Sequence, residues 1–112
     1  MLTIALIVFG VAALGGATLA YLRIVKKDVS MPLAIVHGAA AAAGLVLLIL
    51  GVMEAGTTGS KTSLAIFLVA ALGGFTLFSF HLRSRPMPVP LVLIHGGAAI
   101  TAFLILLLTV VL

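Results

Sequence analysis

The sequence predicts an all-α membrane protein, an up-down-up-down four-helix transmembrane bundle made of two parallel-repeat helical hairpins. Three observations carry this expectation: a composition too apolar for water, four long runs without a charge, and a repetition of one half of the chain in the other. Of the 112 residues, 64% are hydrophobic and 7% charged, which is more apolar surface than a domain of this size can bury in a core of its own. A bilayer-spanning helix takes roughly 20 predominantly apolar residues. Four runs qualify, Leu2 to Leu22, Met31 to Met53, Thr62 to Phe80 and Val89 to Leu112, and none contains Asp, Glu, Lys or Arg. Strands of a membrane barrel would alternate over ~10-residue segments, whereas these runs are longer and do not alternate.

The first run, with only Met1 ahead of it and Arg23, Lys26 and Lys27 behind it, reads as a retained span and not as a cleavable leader. Pro32 and Pro90 fall in the first turn of the second and fourth runs, where the missing N–H costs nothing and the fixed φ favours a helix start. The connections are short, so consecutive helices are antiparallel neighbours. Five of the six basic residues cluster in two of them, Arg23, Lys26 and Lys27 in one and Arg83 and Arg85 in the other. Short Lys- and Arg-rich loops stay on the cytoplasmic side. The expectation is an integral, multi-pass protein, of the bacterial inner-membrane type, with residues 23–28 and 81–86 cytoplasmic and both termini outside. The loop Glu54 to Lys61 then faces outward, with Lys61 the one residue that counts against this orientation. A net charge of +4 spread over short loops gives no surface able to track a phosphate backbone, which argues against nucleic-acid binding. With no cysteine, disulfides, thiolate nucleophiles and iron–sulfur clusters drop out.

Shifted by 58 positions, the chain matches itself without a gap at 19 of 54 aligned pairs. Residues 1–54 and 59–112 are thus two copies of one hairpin within a single membrane domain. Val11 to Gly16 (VAALGG) recurs as Val69 to Gly74, and PLAIVHGAAA from Pro32 recurs as PLVLIHGGAA from Pro90. Each copy contains two spans, so both have the same orientation, and the pseudo-two-fold axis runs along the membrane normal.

His37 and His95, equivalent in this repeat, are the strongly polar side chains inside the spans, and an ionisable group there is a functional hypothesis by default. The two-fold places both rings at one depth on diagonal helices, about 14 Å apart if neighbours pack at 8–10 Å. That leaves room for one metal carried in a flat macrocycle between two axial imidazoles, with the carbonyls of Leu33 and Leu91 expected to orient the rings. The residues flanking both are largely small: Ala34, Ala40, Ala41 and Gly44 around His37, and Val92, Ala98, Ala99 and Ala102 around His95. Gly15, Gly16, Gly73 and Gly74 lie near the same depth on the other two helices and are expected to give the macrocycle clearance. Arg23, His81 and Arg83, with Lys26 and Arg85, form a basic rim suited to carboxylate groups. The competing reading of each feature is structural: a hydrogen-bonded imidazole, a small-xxx-small packing stripe, and cations that set topology.

This layout of facing histidines, small residues and a basic rim resembles the four-helix transmembrane b-type cytochromes. The resemblance implies haem b ligated by His37 and His95 as metal ligands, and a role as an electron-relaying subunit of a larger membrane complex. It implies contact with other membrane subunits, or with further copies of the chain, and with a quinone. Members of that group commonly hold two haems on four histidines; here the outer half has no candidate ligand, so one haem near the cytoplasmic side is expected. Three alternatives stand beside it: a cofactor-free accessory or scaffold subunit, a chlorophyll-type pigment held by the two histidines, and a small drug exporter. The exporter lacks the carboxylate within a span that proton exchange needs. No nucleophile–base pair, carboxylate pair or phosphate loop suggests an enzyme.

Overall fold

The computed structural model, which describes residues 1–112, contains four helices: α1 (Leu2–Ile24), α2 (Met31–Ala55), α3 (Thr58–Leu82) and α4 (Val89–Val111). All four are long and apolar enough to cross a membrane. The bundle is 42 Å long and 22 × 19 Å in section, longer than the ~30 Å hydrocarbon layer it has to span. Each hairpin packs α1 on α2 and α3 on α4, and the hairpins meet through α1 with α4 and α2 with α3. The pairs α1/α3 and α2/α4 are therefore the diagonals of an up-down-up-down bundle.

The helix ends follow from local chemistry. Ser30 caps α2 by accepting from the Leu33 N–H at 3.2 Å, with Pro32 in the first turn. Both α1 and α3 stop in the same six-residue closure. The N–H of Lys27 bonds the Leu22 carbonyl and that of Lys26 bonds Arg23, and in the second copy Arg85 bonds Phe80 and Ser84 bonds His81. This closure needs a left-handed residue just past the cap, and Lys26 (φ 61°) and Ser84 (φ 54°) occupy it.

One expectation needs correcting. Glu54 to Lys61 is not an open loop, because only Gly56 and Thr57 lie outside helices. Thr57 and Ser60 form a reciprocal capping box, the Thr57 N–H donating to Ser60 Oγ at 2.9 Å and the Ser60 N–H to Thr57 Oγ1 at 3.2 Å. That pair starts α3 a turn ahead of its apolar run.

Only 15 of the 112 residues are buried within the chain, as expected where lipid solvates the outer faces. Leu14, Leu72, Phe75 and Met53 are each more than two-thirds exposed and are apolar, which suits hydrocarbon. Hydroxyls on these faces bond back to their own helices: Thr18 to the Leu14 carbonyl, Thr76 to Leu72 and Thr101 to Gly97. Such satisfaction within the helix is what hydrocarbon demands.

The buried set obeys the repeat. Ala5 pairs with Ser63, Phe9 with Phe67, Gly44 with Ala102, and Leu48 with Leu106. Phe9 and Phe67 stack on each other across the α1/α3 diagonal, with centroids 3.8 Å apart and planes 6° from parallel. A methyl at Gly44 would come within 2.9 Å of the Phe9 ring, so that glycine is what admits the stack. Ser63, fully buried, donates to the Ala102 carbonyl at 2.8 Å. The contiguous core of Ala5, Phe9, Leu48, Phe67, Ala102 and Leu106 lies wholly in the half away from the basic turns.

The left-handed position at Ser84 yields a test. A residue with a Cβ pays about 1 kcal/mol there relative to glycine, and Ser84 uses only its backbone. Ser84→Gly is expected to raise the unfolding midpoint in detergent by that amount of free energy. Ser84→Val, β-branched in the same position, is expected to lower it.

Candidate functional site

The other half of the interior is hollow. A cavity of roughly 920 Å³ lies among the four helices on the side of the basic turns, lined mainly by Ala, Gly and larger apolar side chains together with His37, His81 and His95. Phe9 and Phe67 are part of its wall, so their stack floors it. A second, shallower depression of about 440 Å³ sits over the turns and is lined by Arg23, Lys26, Lys27, Asp28, His81 and Arg85, among others. Val29, His81 and Met87 line both spaces. The two are stacked, with the basic depression above the apolar cavity.

His37 and His95 project into the cavity from the diagonal pair α2 and α4. Their ring centroids are 6.3 Å apart and their planes cross at 88°. Each ring is tethered in the same way. His37 Nδ1 lies 2.8 Å from the Ala12 carbonyl oxygen on α1, and His95 Nδ1 lies 2.7 Å from the Ala70 carbonyl oxygen on α3. A carbonyl can only accept, so Nδ1 carries the proton and donates in both rings, and Nε2 is left as a bare lone pair. No protein group bonds either Nε2, and no buried side-chain nitrogen or oxygen lacks a partner, so both lone pairs open onto the cavity. The orienting carbonyls are those of Ala12 and Ala70 on the neighbouring helices, and not the expected Leu33 and Leu91 within the histidines' own helices.

The glycines explain how an imidazole reaches a backbone carbonyl inside a helix. A methyl at Gly16 would lie 2.9 Å from His37 Cε1, and one at Gly74 would lie 3.1 Å from His95 Cε1. Methyls at Gly15 and Gly73 would sit at 3.5 and 3.4 Å from the respective Cβ atoms. The space these glycines clear is taken by the histidine of the same hairpin. Gly16 and Gly74 also border the cavity, whereas Gly15 and Gly73 do not.

The rim residues divide. Arg23 donates from Nε to the Met87 carbonyl at 2.7 Å, tying the end of α1 to the α3–α4 turn beside the depression. His81 borders both spaces and meets Phe78 edge-on, with centroids 6.4 Å apart. Arg83 is turned away. It bonds the Ser79 carbonyl at 3.1 Å, lies over the Phe80 ring at 5.0 Å and borders neither space. The repeat gives the reason: His81 is the counterpart of Arg23, and a residue two positions later is rotated by about 200° around the helix.

Chemically, the site offers two imidazoles bordering one apolar space, with cations at its mouth. No group of three or more His, Cys, Asp or Glu side chains gathers anywhere in the chain. A bare tetrahedral metal would need four ligands, more than the two imidazoles supply. Sequence reasoning did not identify the Phe9–Phe67 floor or the carbonyl tethers. The first had a signal, since Phe9 and Phe67 are identical in the repeat; the second involves backbone atoms that no side chain announces.

Gly16→Ala tests the seat directly. The added methyl has to displace the His37 ring, and such overpacking costs about 1–3 kcal/mol. The unfolding midpoint in detergent is expected to fall, with a smaller fall for Gly74→Ala. Gly38→Ala and Gly96→Ala, where a methyl meets nothing within 4 Å, are expected to leave it unchanged or raised, as helix propensity favours alanine. Compared with known protein families, curated proteins and solved structures, the chain matches none, and the reading of this site therefore rests on its geometry.

Proposed function

We propose that this chain is a small integral-membrane subunit of the b-type cytochrome kind, holding one haem b between His37 and His95 and relaying electrons within a larger membrane complex. The observation that carries this reading is the spacing of the two tethered rings. The two ring centroids are 6.3 Å apart and both rings border one cavity, so His37 and His95 would be the residues to hold a single metal carried in a macrocycle. The tautomer is the required one, with Nδ1–H bonded to a carbonyl and Nε2 bare, the usual support for a ligating histidine. A cavity of roughly 920 Å³ lies in the range that cofactor-sized ligands occupy.

A haem bound there supplies a one-electron couple, whose potential the protein tunes through axial ligands, hydrogen bonding and burial. With His37 and His95 both holding the metal, no position would be left for substrate, which favours electron carriage over catalysis. The carbonyls of Ala12 and Ala70 make the imidazoles stronger donors. Phe9 and Phe67 exclude water from below. His81, which borders both the cavity and the basic depression, and Arg23, which borders the depression, would be the partners of two propionates, with Lys26 and Arg85 beside them. Arg83 is left out of this role. In this reading the basic turns lie on the cytoplasmic side by the positive-inside rule, and the electron partner is a quinone or a neighbouring subunit.

A second reading, a cofactor-free accessory subunit, is favoured by one observation. Both histidines already have interhelical hydrogen bonds, and 6.3 Å with crossed planes also falls within edge-to-face ring contact. An absorption spectrum separates the two. Protein purified in detergent from haem-replete cells is expected to show a Soret band that disappears in His37→Ala and His95→Ala while circular dichroism stays helical. Ring planes at 88° further lead us to expect a strongly anisotropic low-spin EPR signal from the oxidised protein. A colourless, haem-free preparation would overturn the proposal and leave the accessory subunit.

A further inference from the structure

The basic depression is built from both turns on one plan. Every residue that lines it is matched, 58 positions along the chain, by another that lines it, so the depression straddles the pseudo-two-fold axis at the end of the bundle. From this symmetry and from its charge we infer that the depression is a binding site for a phosphate-class polyanion that bridges the two turns, with Lys27 on one turn and Arg85 on the other as its paired cations.

Four of the chain's six Lys and Arg side chains, Arg23, Lys26, Lys27 and Arg85, line this one space, against the single carboxylate of Asp28. The positive-inside rule asks only that cations lie near this end of the bundle. It does not ask them to converge. Arg83 follows the rule equally well from the same end, yet it is bonded to the Ser79 carbonyl, lies over the Phe80 ring and stays outside the depression. Cations gathered in one concave space repel one another, and an anion carrying several charges relieves that repulsion.

The turns supply backbone donors as well. Left-handed Lys26 and Ser84 close the two helices in the same way, and the chain then runs through equivalent positions, Lys27 matching Arg85 and Val29 matching Met87. The N–H groups of Val29 and Met87, half-buried residues that border both depression and cavity, donate to no group in the chain. Oxyanions accept readily from backbone N–H groups in turns of this kind. One cation and one uncommitted N–H on each turn make two equivalent half-sites. A ligand with two linked anionic groups engages both at once, which a single phosphate does not. The inference is separate from the haem reading, because Lys27 and Arg85 border the depression and not the cavity.

Two sources offer this chemistry: a soluble diphosphate, and the paired phosphates of cardiolipin in the adjoining membrane surface. Titration of the detergent-purified protein at fixed ionic strength, with pyrophosphate by calorimetry and with cardiolipin by native mass spectrometry, tests the site and tells the sources apart. At least one of the two is expected to bind, and to bind about fivefold or more tighter than its single-phosphate counterpart, orthophosphate or phosphatidylglycerol, for one further cation contact. Lys27→Gln and Arg85→Gln are each expected to weaken that binding about fivefold, whereas Arg83→Gln leaves it unchanged. All three residues are exposed, so the variants are expected to fold. Equal binding of the single-phosphate counterpart, an equal loss in Arg83→Gln, or no binding of either probe would overturn the inference. The absorption spectrum of the same preparation reports on haem separately, so either reading can fail without the other.

Discussion

Inside hydrocarbon an imidazole N–H has nowhere to donate except to the protein, and the interior of this bundle is arranged around that requirement. The threonines meet it cheaply by bonding one turn back, so they tie no helices together. An imidazole at His37 or His95 reaches instead for a carbonyl on the adjacent helix, whose oxygen already accepts a helical bond. To come within 2.7–2.8 Å of it, the ring has to lie against bare backbone. Gly16 and Gly74, one turn beyond Ala12 and Ala70, provide it. Carbonyl, glycine and histidine thus form one unit that joins the two helices of a hairpin, and the chain contains it twice.

The same tethers account for the division of the interior into a packed half and a hollow one. A side chain on or near the pseudo-two-fold axis meets its own counterpart. Phe9 and Phe67 are free to turn inward, and they close the gap by stacking at 3.8 Å. His37 and His95 are held back toward α1 and α3 by their Nδ1 bonds, so they stop at 6.3 Å and the centre between them is bounded by alanine and glycine. A stacked aromatic pair and a held-apart imidazole pair, one above the other on crossed diagonals, make a floor and two walls. The basic turns complete the fourth boundary, with Arg23 fastened to Met87.

What could be read from the residues and what could not divide along physical lines. Hydropathy reports the spans because lipid solvation is a property of composition, and the repeat reports the facing histidines because equivalence forces equal depth. Glycine, however, signals only that bulk is absent. Gly15, Gly16, Gly73 and Gly74 read equally well as clearance for a ligand or as a seat for a neighbouring side chain, and it is the imidazole that lies against them. The acceptors were misplaced for a related reason: a backbone carbonyl has no letter of its own, although Ala12 and Gly16 stand together in VAALGG. EAGTTGSK looks like a loop by composition, since polarity does not separate a loop from a helix that outruns the hydrocarbon; Thr57 and Ser60 decide for helix. Arg23 and Arg83 look alike as rim cations until the repeat aligns Arg23 with His81, which rotates Arg83 out of the group.

The placement of the cavity also constrains how this bundle could work. The half away from the basic turns holds a contiguous apolar core, and its buried polar side chains, Ser60 and Ser63, spend their hydroxyls on local caps and on the Ala102 carbonyl. That half contains no histidine. Whatever occupies the space between His37 and His95 is therefore nearer to one membrane surface, with a basic mouth toward that surface and a phenylalanine floor behind it. Its exchange with other molecules has to pass through the basic mouth or sideways between helices, because the floor is stacked shut. In the electron-carrying reading this makes the chain a one-sided station. On that reading alone, charge could reach the far surface only through a further centre outside this chain, because the far half of the bundle is a packed apolar core.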